Sequence, residues 1–167
     1  MNSFFYMFSV IFPGQGSQIV GMGKEFYNKF DLVKNLFKEA DGILNFPISK
    51  LILEGPKEEL DLTVNTQPAI FIISYSIYNV VTKEFNIDLG KAKYFAGHSL
   101  GEYSALSCAG YLSFSETLKI LRIRGDAMQN SVPKGKGGMV AVLGSTVETV
   151  EKILKDNKEN FNAQIAN

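Results

Sequence analysis

The pentapeptide Gly97-His98-Ser99-Leu100-Gly101 sets one hydroxyl between two glycines. The apolar-leaning residues 94–96 before it read as a short strand, and "LGEYSALSCA" after it reads as a helix. Gly-x-Ser-x-Gly at a strand-to-helix junction is the pattern of a nucleophile elbow. Such a turn strains the serine backbone, and a side chain two residues to either side would strike the neighbouring strand or helix. The helix would aim its unpaired N–H groups and positive dipole end at an anion formed at Ser99. A tetrahedral oxyanion on an attacked carbonyl is such an anion. A serine nucleophile also needs a base within hydrogen-bond reach. The one histidine of the chain, His98, is the serine's own neighbour, and adjacent residues on a tight turn aim their side chains apart. His98 is expected to brace the elbow rather than to take the proton. No aspartate stands in a recognisable motif for a dyad.

A second glycine-rich stretch, "FPGQGSQIVGMG", spans residues 12–23. Ile19 stands where a dinucleotide fingerprint needs glycine, and Glu25 follows Gly23-Lys24 where a phosphate loop needs Ser or Thr. What remains is a tight, backbone-exposing loop at the C-terminal end of a strand, where open α/β sheets bind ligands. Gln15 gives it a neutral amide suited to supporting an oxyanion; a plain turn is the other reading. The only arginines, Arg122 and Arg124, both lie in "LRIRGDAMQ". Two positions apart on a helix, they point to nearly opposite faces and cannot both serve one site. Either one can grip a carboxylate through a bidentate fork or stand as a surface charge.

Strands and helices alternate around these stretches. Residues 8–12 read as a buried strand, and residues 23–41 as a helix with Phe26, Phe30, Val33 and Phe37 on one face. Residues 55–69 read as a helical turn and a loop ending at Pro68, with proline in the first turn of the next helix. That segment is rich in Ile, Val and Tyr, which favours a strand by propensity. Its length, to Lys83, argues for a buried helix. Ser113-x-x-Glu116 is a capping box for a further helix. "VPKGKGG", residues 132–138, is the best boundary. Beyond it, residues 139–144 read as a strand, Ser145-x-x-Glu148 as a cap, and Val147, Val150 and Leu154 as one helical face. "FNAQIAN" reads as a strand cut short. That last unit has no obvious way to finish its own sheet, so the chain is expected to be the front portion of a longer protein.

With 167 residues, 46% of them hydrophobic and 20% charged, the chain is about one domain long and can build a substantial core. Seventeen basic residues balance seventeen acidic ones without blocks, which excludes the basic footprint of nucleic-acid binding. The single cysteine, Cys108, excludes an internal disulfide and fits a reducing compartment. The opening "MNSFFYMFSVIF" lacks a positive leader and a small-x-small cleavage site. No apolar run reaches the roughly 20 residues of a bilayer span. A soluble, cytoplasmic protein is expected.

Taken in order, "FPGQGSQ…GMG", "TQPAI" at 66–70, "AGHSLGEYSAL.CAG" around Ser99, "RG..MQ" at 124–129 and "VPKGKGGM" resemble the malonyl-CoA:acyl carrier protein transacylases of fatty acid synthesis. Related acyltransferase domains occur in polyketide synthases. The resemblance implies an α/β fold with a hydrolase-like parallel sheet and flanking helices over residues 1–133. It also implies that a small ferredoxin-like subdomain begins at 134–167. It makes Ser99 the nucleophile that carries the malonyl ester, and Gln15 and the backbone N–H of Leu100 the oxyanion donors. It makes Arg124 the partner of the malonyl carboxylate, with Gln67 and Met128 near the pocket. The implied partners are malonyl-CoA as substrate and acyl carrier protein as acceptor, with no metal or redox cofactor. The family's catalytic histidine lies well after the serine, in a chain roughly twice as long, and is expected outside this sequence.

Two other readings share these residues. A serine hydrolase or thioesterase of lipase or patatin type uses the same elbow but passes the acyl group to water. A non-catalytic fragment without its histidine binds coenzyme A or carrier protein and performs no transfer.

Overall fold

The computed structural model describes residues 7–131, 136, 138–160 and 162–166. The opening "MNSFFY" and most of the expected boundary at 132–138 lie outside the described residues. The chain falls into two compact units, Met1–Val132 and Pro133–Asn167.

In the first unit, strands β1 (Ser9–Phe12) and β2 (Tyr94–Gly97) pair in parallel, with Ser9 opposite Tyr94 and Phe12 opposite Gly97. Parallel pairing needs a long crossover. Here it carries five α-helices, α1 (Lys24–Lys29), α2 (Asp31–Leu44), α3 (Ile48–Glu54), α4 (Lys57–Leu60) and α5 (Thr63–Asn79), then a π-helical turn at Val80–Glu84 and a 3-10 turn at Leu89–Lys91. Helices α6 (Leu100–Cys108) and α7 (Phe114–Asn130) follow β2. The result is an α/β fold with a small parallel sheet.

Helix α5 is the centre of the core. Ala69, Ile70, Phe71 and Ile72 are buried on it, packed with Val33, Phe37, Ile48, Ile52, Leu118 and Leu121 from neighbouring helices. A helix that is apolar all round belongs inside, which is why its composition mimics a strand. Around the sheet, Phe12 packs with Ala105 and Cys108 of α6, flanked by Val10 and Phe95. The strand expected at 8–12 is thus covered on one face only. Ile11 is 76% exposed and Tyr94 60% on the other, since a strand's side chains alternate between faces.

Two expected elements differ in detail, and one helix was not expected. The helix foreseen over 23–41 breaks at Phe30, whose backbone is extended at φ −119° and ψ 119°. Its N–H closes α1 on the Phe26 carbonyl at 2.9 Å, and its carbonyl opens α2 by accepting from Val33 at 3.0 Å. The 4-3-4 spacing of the apolar residues is the same with or without that bend. Helix α5 starts at Thr63, so Pro68 sits inside it rather than in its first turn. Helix α3 carries an apolar face of Ile48, Leu51 and Ile52 that the sequence reading passed over.

The capping box of α7 is present: Glu116 N–H donates to Ser113 Oγ at 3.2 Å, and Ser113 N–H donates to the Glu116 carboxylate at 2.9 Å. In the second unit, helix α8 (Val147–Asp156) is capped by Thr146, not Ser145; Thr146 Oγ1 accepts the Thr149 N–H at 3.3 Å. Residues 139–144 and 162–166 are not strands. A strand exists only through a paired neighbour, and among the described residues neither segment has one.

Among the described residues no helix is long and apolar enough to cross a membrane. Cys108 is a buried free thiol, and burial pushes its pKa up to about 12. Very little of it is thiolate at pH 8. Native alkylation at that pH is expected to be negligible, with stoichiometric labelling only as denaturant unfolds the chain. Rapid native labelling, followed by mass spectrometry, would contradict this packing of α6 on β1.

Candidate active site

Ser99 joins β2 to α6 with φ 54° and ψ −113°, a backbone conformation that L-residues rarely adopt. The glycines around it are forced by contact. A Cβ on Gly97 would run into the main-chain carbonyl of Gly101 and lie 2.5 Å from the Glu102 nitrogen. A Cβ on Gly101 would lie 2.6 Å from the Phe12 carbonyl oxygen. Strand β1, strand β2 and the first turn of α6 therefore meet backbone to backbone, with no space for a methyl. Hydrogen bonds set the same turn: His98 N–H donates to the Phe12 carbonyl at 3.3 Å, and Gly101 N–H to the His98 carbonyl at 2.9 Å.

The hydroxyl so raised is exposed and faces α7. Arg124 Nη2 donates to Ser99 Oγ at 3.0 Å, and Arg124 Nη1 donates to Gln67 Oε1 at 2.6 Å. The guanidinium also lies over the Tyr103 ring, 5.6 Å from its centroid. Gln67 is fully buried, and its Nε2 donates to Met128 Sδ at 3.3 Å. Arg124 and Met128 are four apart on α7 and so share a face. Four of the six residues that the resemblance assigns to the site, Ser99, Arg124, Gln67 and Met128, are thus joined in one run of contacts.

The other two flank that run. Leu100 is the first residue of α6; its side chain is fully buried, and its N–H belongs to the four donors that a helix start leaves without an intrahelical partner. Gln15 does not offer its side-chain amide to the serine by any hydrogen bond. Its Nε2 donates to Thr63 Oγ1 at 3.2 Å, tying the glycine loop to the start of α5. The loop's main chain is what reaches the elbow. A Cβ on Gly14 would lie 2.7 Å from His98 Nδ1 and 2.9 Å from the His98 carbonyl. Gln18 fastens the far side of the loop, accepting from Gly16 N–H at 2.8 Å and donating to Asp61 at 2.9 Å.

Thr63 was not singled out in the sequence, and Gln129 stood only as the last letter of "RG..MQ", yet they hold the site together. Gln129 Oε1 accepts the Thr63 N–H at 2.9 Å, joining the end of α7 to the start of α5. The available signal was the i, i+4 spacing of Thr63 and Gln67 on α5. Arg122 turns away from Ser99, as the two-residue spacing demands. Its Nη1 donates to the Val64 carbonyl at 3.2 Å and to Asn65 Oδ1 at 2.6 Å, and its guanidinium lies 4.9 Å from the Phe46 ring centroid.

Residues 9–165 match the family model described as "Acyl transferase domain". The malonyl CoA-acyl carrier protein transacylase of Bacillus subtilis (strain 168) is 46% identical over 158 residues, which are 94% of this chain and 49% of that protein. Its counterpart in Escherichia coli (strain K12) is 39% identical over 164 residues, 93% of this chain and 52% of that protein. Among solved structures, the acyl-carrier-protein-S-malonyltransferase from Bartonella henselae superposes with a TM-score of 0.89 at 42% identity, covering 96% of this chain and 51% of that one. A malonyl-transacylase solved in complex with a type II PKS acyl-carrier protein gives a TM-score of 0.83 at 38% identity, covering 90% of this chain and 48% of that one. The chain spans about half the length of the curated relatives it matches.

Proposed function

The chain belongs to the acyl transferase domain family, and from that premise we propose that it is the serine-bearing part of a malonyl transferase. The group moves from malonyl-CoA to the phosphopantetheine thiol of acyl carrier protein through a malonyl ester on Ser99, in fatty acid synthesis. One observation carries the reading: a guanidinium stands 3.0 Å from the elbow hydroxyl, steered by a buried glutamine. Malonyl has a free carboxylate one methylene from its thioester carbonyl. An arginine beside the nucleophile can hold that carboxylate while Ser99 Oγ meets the carbonyl carbon. The relatives named above, transacylases and malonyltransferases, support the substrate and acceptor.

In the first half-reaction Oγ attacks the thioester carbon, its proton leaves to a base, and the carbonyl electrons collect on oxygen. We assign that oxyanion to the Leu100 N–H at the positive end of α6, with the Gln15 main chain as the second donor. Collapse expels the coenzyme A thiolate, which takes the proton. The second half-reaction runs the same steps in reverse with the carrier thiol as nucleophile. We assign the base to a histidine outside these residues, as the family resemblance implies. The exchange is redox-neutral and needs no metal or redox cofactor. A single buried cysteine supports a cytoplasmic setting.

We assign the first unit to the hydrolase-like sheet with its flanking helices. Residues 134–167 we assign to the start of a ferredoxin-like subdomain. Exposed Val147 and Ile153 on α8 and exposed Met139, Val140 and Leu143 support this, because a packed strand-helix unit buries such side chains.

Incubation of the full-length protein with malonyl-CoA, followed by intact mass measurement, is expected to show one malonyl adduct that Ser99→Ala removes. No adduct, or one that survives Ser99→Ala, refutes the proposal. Release of the adduct to water rather than to carrier thiol would establish the hydrolase reading instead.

A further inference from the structure

Pro68 lies in the sixth position of α5 and has no N–H to give the Val64 carbonyl four residues back. Helix α7 comes close to α5 beside that carbonyl. A Cβ on Gly125 would lie 2.7 Å from Val64 Cα and 2.8 Å from the Thr63 carbonyl oxygen. A partly buried carbonyl left without a donor costs stability. The missing donor comes from Arg122, whose Nη1 reaches both the Val64 carbonyl and Asn65 Oδ1.

Phe46 beneath the guanidinium keeps the arginine in place. The same two helical turns of α5 carry the groups that matter at Ser99. Thr63 holds Gln15 and Gln129, while Gln67 holds Arg124 and Met128. Arg122 and Arg124 therefore grip α5 on either side of Gly125's close contact, one at Val64 and Asn65 and the other at Gln67.

We propose that Arg122 is a positioning residue for the acyl site: it replaces the hydrogen bond Pro68 cannot make and so fixes Gln67, and through it the Arg124 guanidinium, opposite Ser99. The proposal rests on the malonyl reading for its catalytic consequence but not for its geometry. The variants are Arg122→Met, which keeps packing on Phe46 without donors, and Pro68→Ala, which gives α5 its own N–H for Val64.

In the full-length protein, Arg122→Met is expected to lower kcat/KM for malonyl transfer about tenfold while changing acetyl transfer less than about twofold. The double variant Pro68→Ala/Arg122→Met is expected to recover most of that loss, the non-additivity expected of two changes that meet at one hydrogen-bond acceptor. The side-chain amide resonances of Gln67, read by NMR, are expected to shift in Arg122→Met and return in the double variant. Should Arg122→Met fail to fold, Arg122→Lys, with an ammonium in place of the planar guanidinium, takes its place in the same cycle.

Unchanged Gln67 resonances, or additive effects of the two substitutions, overturn the proposal. A parent protein that transfers acetyl as well as malonyl overturns the malonyl reading instead, and the resonances still decide the role of Arg122.

Discussion

Gly97→Ala is expected to destabilise the protein by more than about 4 kcal/mol, beyond the range of ordinary core substitutions. The added methyl has no flexible side chain to push aside. It meets the main-chain carbonyl of Gly101 and the nitrogen of Glu102, both in the first turn of α6. That turn is held from the other side by Gly101, whose own missing Cβ lets it sit on the Phe12 carbonyl. Moving α6 outward would therefore break the contact between β1 and the elbow as well. Gly42, in α2, has nothing within 4 Å of its would-be Cβ, and Gly42→Ala is expected to stabilise by about 0.5–1 kcal/mol through helix propensity alone. Urea denaturation of the two variants beside the parent tests both signs. A Gly97→Ala protein within about 1 kcal/mol of the parent would show that the elbow is looser than its contacts require.

Arg124→Ala is expected to lower kcat/KM for malonyl transfer by a factor on the order of 10²–10³, the scale of a lost charged hydrogen-bond pair. Acetyl transfer, which has no carboxylate to seat, is expected to change little. The preference between the two acyl groups should nearly vanish. Arg124→Lys separates charge from shape. The guanidinium reaches Ser99 Oγ with one nitrogen and Gln67 with the other, a fork that an ammonium cannot reproduce. Lysine is expected to restore only part of the malonyl rate. Initial rates with both thioesters decide the matter. A variant that keeps the parent's preference would remove the carboxylate role from Arg124.

The elbow was legible in the sequence because its constraint is local. Two glycines at fixed spacing around a serine describe one turn, and the contacts at Gly97 and Gly101 are those the spacing implied. The separation of the two arginines was legible for the same reason, since helix geometry alone sends neighbours two apart in different directions. The start of α5 was not. Proline prefers a first turn, and Pro68 is found deeper in the helix where Arg122, 54 positions later, supplies the donor for Val64. Nothing within residues 60–70 announces that partner. The break at Phe30 escaped because a bend that preserves apolar spacing leaves the pattern unchanged. Residues 139–144 have the composition of a strand, but pairing is a property of two segments and cannot be read from one.

The positive φ of Ser99 also limits which nucleophiles this position could ever have used. A β-branched residue in that conformation is a steric outlier, so threonine, though it carries the same hydroxyl, is shut out by the main chain. Unbranched cysteine is not. The backbone thus leaves natural variation a choice between oxygen and sulfur at the tip of an unbranched side chain. It closes the route that proteins with a threonine nucleophile have taken elsewhere.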